Sequence, residues 1–240
     1  MSIQKPENPY LNLVFNLMIP SLLLIKGESY LGWSPVGVLL VALAFPFAYG
    51  LYDLWTRKTY NFLSIIGLVS VLITGGIGLL TLPTRWIAIK EAAIPALIGL
   101  GVIGSLKTRY PLIKTFLFNE NLFQVQKIQA AIEEKQAQHT FARLLSAATW
   151  ALGSTFFLSA ILNYGLAKVI VHSEAGTSAF TEEIGQMTLW SYPVILLPSM
   201  IMLVALMWWL LKRLENITGL PLEDLFHDPK ASSKQSGVKK

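Results

Sequence analysis

Two apolar runs, residues 62–82 and 86–106, follow one another with only Pro83, Thr84 and Arg85 between them. Each has the length that a helix needs to cross the hydrocarbon of a bilayer, about 20 residues for about 30 Å. Within lipid every backbone polar group must find its partner inside the segment, so such runs fold as helices. Three more runs of this kind lie at residues 34–56, 144–171 and 187–211, and one at 10–25 is short for a span. Only 14% of the 240 residues are charged, against about 25% in soluble domains. The expected fold is therefore all-α: a polytopic membrane bundle of about six transmembrane helices, residues 1–212, in contact with the lipid bilayer.

The polar segments complete the plan. Residues 107–143 form the one long connection, and Leu122, Val125, Ile128 and Ile132 recur in it at helical spacing. That pattern predicts an amphipathic helix, either a connector packed on the bundle or a helix lying on headgroups. Residues 172–186 read as a polar loop. Residues 213–240 lack apolar periodicity and read as a polar, disordered tail.

Orientation follows from the basic residues. With the N-terminus inside, fifteen of the nineteen Lys and Arg fall on inner segments; Lys26, Arg85, Lys90 and Lys168 fall on outer ones. Positive charge is retained in the cytoplasm, which places both termini there. The same charges do not cluster as a nucleic-acid surface. Absence of cysteine removes disulfides and thiolate chemistry.

Short internal matches point to a 3+3 inverted repeat. IPSLL at 19–23 pairs with IPALI at 94–98, and YGL at 49–51 with YGL at 164–166. Both pairs occupy corresponding positions of the two halves, as in many carriers.

Polar residues inside apolar runs carry the functional question, because lipid exposure of such groups is costly. Lys90 and Glu91 lie about one turn into the fourth run. Neighbours on a helix point about 100° apart, so the reading is that Lys90 reaches outward and Glu91 faces a partner on another helix, Asn163 or Lys168. Asp53 is four residues before Arg57 and reads as a local surface pair. Asn16 and Asn163 read as hydrogen-bonding glue between helices. Ser70, Thr74 and Gly78 form a small-residue stripe for helix packing, and Gly75 and Gly76 belong to the same close-packing segment. His172 stands alone and is not read as a metal ligand. No HExxH, GxSxG or GxxxxGK motif occurs, so neither catalytic residues nor a cofactor or metal site is expected.

The segments GGIGLL, WIAIKEAAIPALIGL and KTRYPLIK resemble the bacterial intracellular septation protein A family, and more closely a longer, uncharacterised branch of septation-A-like membrane proteins. The matching residues are Gly75, Gly76, Trp86, Lys90, Pro111 and Leu112. The resemblance implies a non-enzymatic protein of the bacterial inner membrane, associated with the cell envelope or with division proteins. The residues themselves leave a second reading open: a small-solute or ion carrier with a polar cavity among Asn16, Glu91 and Asn163.

Overall fold

The structure is a computed structural model that describes residues 14, 18–57, 62–108, 112–117, 119 and 122–226. Among these residues it is helical, with an isolated bridge between Phe123 and Phe226 as the one β-type pairing. The helices are α1 Ile19–Leu31, α2 Pro35–Arg57, α3 Phe62–Leu79, α4 Arg85–Gly104, α5 Leu112–Leu117, α6 Val125–Glu134, α7 Gln138–Ile170, α8 Ser178–Ser191, α9 Leu197–Thr218 and α10 Leu222–Leu225.

Several boundaries differ from the sequence reading for local reasons. Helix α1 runs past Ile25 to Leu31, where Gly32 adopts φ 63° and its N–H closes on the Glu28 carbonyl. This left-handed cap suits a residue without a Cβ. The polar loop shrinks to residues 171–177, because Thr177 caps α8 by accepting the Phe180 N–H at 3.2 Å. Phe180, Ile184 and Met187 then bury one face of α8, a stripe that Glu182, Glu183 and Gln186 hide from a running average of hydropathy. Likewise α7 begins at Gln138, six residues before the apolar run, so the connector loses its last segment to that helix.

Helices α8 and α9 are joined without a break by a π-helical segment, Tyr192–Leu196. Pro193 has no N–H and its ring crowds the carbonyl four residues back. The wider turn accommodates it: the Leu197 N–H reaches the Tyr192 carbonyl five residues earlier.

Among the described residues three helices are long and apolar enough to cross a membrane: Arg85–Lys107, Gln138–Ile170 and Ser178–Thr218. A shorter apolar helix covers Pro35–Ala48. Among the described residues helix α1 covers 13 residues, about 20 Å of rise, and carries Lys26 and Glu28.

The chain divides into two compact units. The first is Met1–Ala96 with Leu158–Pro198. Its core gathers Leu24 from α1, Leu39 and Ala42 from α2, Ile77 from α3, Ile87 and Ala88 from α4, and Phe180, Ile184 and Met187 from α8. Helix α1 packs on α2 and α8, and α2 on α3. Close approach is set by small residues: a Cβ on Gly185 would lie 2.8 Å from Leu24 Cβ and 3.0 Å from the Ser21 carbonyl oxygen.

The second unit is Leu97–Phe157 with Ser199–Lys240. Ile128 and Ile132 of α6 are buried there with Phe141, Leu144, Leu210, Leu214 and Leu225, so the amphipathic helix packs one apolar face within this unit. Leu214 and Leu225 are fully buried, and the Gln124 side chain donates to the Phe226 carbonyl at 2.9 Å. Packed structure thus continues well past Lys212, the end assigned from the apolar run. Residues 227–240 lie outside the described residues. In α4, Gly99 meets the Gly153 carbonyl of α7 at 3.2 Å from its added Cβ, whereas Gly101 and Gly104 face open space.

Candidate functional site

Helix α4 brings its opposite charges into the first unit. Lys90 is the sixth residue of α4 and is buried, at 8% exposure. Its four-carbon stem carries the ammonium to α3, where the Thr74 and Ser70 hydroxyl oxygens accept from it at 2.8 and 3.1 Å. Those hydroxyls lie four residues apart, on one face of α3. The Thr74 hydroxyl in turn donates to the Ser70 carbonyl at 3.0 Å, which leaves its lone pairs for the lysine.

The third partner is Glu91, whose Oε1 lies 2.6 Å from Lys90 Nζ. Two expectations are corrected here. Lys90 does not reach outward, and it pairs directly with the residue beside it. The 100° separation holds where the side chains leave the helix, but both stems are long enough to bend toward each other. An ammonium has three donors, and all three are engaged. For a desolvated cation that saturation is the condition for burial.

Glu91 is a quarter exposed and lines a recess of about 190 Å³. Asn163 of α7 and Thr188 and Ser191 of α8 provide the other polar walls, and Leu166, Met187 and Ile195 the apolar ones. Of the residues expected around a cavity, Glu91 and Asn163 do meet; Asn16 lies outside the described residues, as does the Asp53 side chain. Asn163 is not glue between helices: its amide nitrogen donates to the Ser159 carbonyl of its own helix at 2.8 Å. Lys168 is exposed and is not the partner of Glu91.

The small-residue stripe on α3 has two roles. Ser70 and Thr74 serve Lys90. Gly78 is a packing position, since a Cβ there would collide with Leu39 and lie 3.3 Å from Phe180. Gly75 is also tight, 3.1 Å from Leu43, while Gly76 faces open space.

Thr188, Ser191 and Glu183 were not singled out from sequence. The first two are three apart, which puts them on one helical face beside Met187. Glu183 accepts the His172 and Ser173 N–H groups at 3.0 and 2.9 Å and the Ser173 hydroxyl at 2.7 Å. It thereby fixes the loop before α8. Among the described residues no group of three or more His, Cys, Asp or Glu could hold a metal ion.

No protein-family model, curated protein or solved structure matches this chain. The resemblance to the septation A family therefore rests on the quoted residues alone.

Proposed function

We propose that this chain is a multi-pass protein of the bacterial inner membrane, with cytoplasmic termini, that carries a small solute through the recess at Glu91. The observation that carries this reading is the ion pair itself. A carboxylate is held on a candidate crossing helix, with Lys90 as its counter-charge, and the same carboxylate lines a recess with three further polar side chains. The lysine has its three donors engaged, while Glu91, a quarter exposed, keeps an oxygen for the recess. Ligand sites are mostly apolar concavities with a few convergent polar groups, which describes this recess.

The six-span plan, the 3+3 repeat and the resemblance to septation-A-like proteins belong to the same proposal. They supply the membrane setting and the orientation. Association with envelope or division proteins is the competing role, and it needs no recess.

Solvent access separates the two. Cysteine placed at Ser191 in this Cys-free chain should react with a small impermeant thiol reagent added to either side of oriented membrane vesicles, because a carrier opens its site to both. Leu197→Cys, on an exposed apolar position of the same continuous helix, should resist. Reaction from neither side, or from one side only, overturns carriage.

A further inference from the structure

The hydrogen bonds around the recess restrict what it can hold. Each polar side chain on its wall has already engaged its donors. The Thr188 hydroxyl donates to the Ile184 carbonyl at 2.8 Å, and the Ser191 hydroxyl to the Thr188 carbonyl at 2.7 Å. The Asn163 amide nitrogen donates to the Ser159 carbonyl at 2.8 Å and lies 3.4 Å from the Ser159 hydroxyl. A carbonyl can only accept, so this contact fixes which end of the amide is nitrogen. What remains are acceptors: the Asn163 carbonyl oxygen, the lone pairs of two hydroxyls, and the Glu91 oxygen not paired with Lys90.

Lys90 has no donor left to offer a solute and neutralises the carboxylate beside it, so Glu91 acts through its second oxygen as a charge-assisted acceptor. An anion entering the recess would meet a carboxylate and acceptor oxygens, with no donor among the side chains to receive it. A solute rich in N–H donors and positively charged meets the complement of each group. Divalent metal ions prefer several carboxylates, and the wall has one. The apolar walls, Leu166, Met187 and Ile195, suit a short hydrocarbon portion. A cavity of about 150 Å³ holds a six-carbon ring, so this recess admits a solute of about that size.

Resting on the carrier reading above, we propose that the recess binds a small primary ammonium compound. Its ammonium group donates to Glu91, Asn163 and a hydroxyl of α8, and its alkyl portion lies on the apolar wall.

The test uses the purified full-length protein in lipid nanodiscs and n-propylammonium chloride as the probe, titrated by calorimetry. Saturable binding is expected, weakened about tenfold or more in Glu91→Gln by loss of the charge partner. Thr188→Val keeps the shape and removes one acceptor; it should also weaken binding, and it covers the case in which Glu91→Gln fails to fold. Tetramethylammonium, a cation with no N–H, and sodium chloride should not reproduce the effect. If n-propanol or propionate binds in a Glu91-sensitive way and the amine does not, the ammonium class is wrong while a solute site stands. Amine binding that both variants retain places the amine elsewhere and overturns the proposal. If n-propylammonium, n-propanol and propionate all fail to bind the wild type, the ammonium class and the carrier reading fall together.

Discussion

Gly185→Ala asks whether the contact of α1 with α8 is as tight as the backbone geometry requires. The new methyl would stand 2.8 Å from Leu24 Cβ, 2.9 Å from Ile25 Cγ1 and 3.0 Å from the Ser21 carbonyl oxygen. Carbon atoms prefer about 3.5–4.0 Å. Leu24 Cβ and the Ser21 oxygen are tied to the backbone, so no rotamer change relieves the overlap and the helices must separate. Overpacking of this kind costs about 1–3 kcal/mol. The substitution also gains up to about 1 kcal/mol in helix propensity, which a control must remove. Gly165→Ala is that control, because a Cβ there meets nothing within 4 Å. The difference between the two variants isolates the overlap. At about 2–4 °C per kcal/mol for a chain of this size, Gly185→Ala should melt about 2–12 °C below Gly165→Ala, measured by tryptophan fluorescence of the purified proteins. Coincident melting curves would refute the reasoning, for the two helices would then have room between them.

Other perturbations reach separate parts of the structure. Gly78→Leu drives a branched side chain into Leu39 and Phe180 and should cost about 1–3 kcal/mol or more; unchanged thermal stability would mean that this face is unpacked. Lys90→Met strands Glu91 and should cost about 3 kcal/mol, the low end of the usual range because Glu91 is partly exposed. Lys90→Met with Glu91→Gln should recover most of that loss, and simple addition of the two single effects would exclude the pair as a coupled unit. The buried Ser21 hydroxyl has no hydrogen-bond partner among the described residues, so Ser21→Ala should leave stability unchanged or raise it; a loss above about 1 kcal/mol would reveal a bond to that hydroxyl. For topology, an impermeant thiol reagent on intact cells should label Glu174→Cys and spare Ser236→Cys; the reverse pattern would invert the orientation.

Helical class was legible because apolar runs of bilayer length leave the backbone no other structure. Helix α2 fell within a residue of its apolar run for that reason. Boundaries were less legible where side chains from elsewhere extend a helix. Phe180 and Ile184 bury α8 although acidic residues separate them, and Leu214 and Leu225 order a segment whose composition reads as tail. In the site, Glu91 and Asn163 stood out because polar groups in apolar runs are costly. Pairing did not, since it depends on side-chain reach: Lys90 bends back to Glu91 and across to Ser70 and Thr74, which spacing along one helix cannot encode. Thr188 and Ser191 passed unnoticed because hydroxyls that bond their own helix are common in apolar helices.

The length of α7 has a mechanical consequence. Its 33 residues rise about 50 Å. Exposed Arg143 and Lys168 bracket the apolar portion and are separated by about 38 Å along the axis. A hydrocarbon core is about 30 Å thick, and about 40–45 Å with its headgroup regions, so a crossing helix can hold both cations among the headgroups without a large lean. Lipids with longer acyl chains draw the cations toward the edge of the hydrocarbon. Shorter chains are met by tilting the helix or by local thickening of the bilayer.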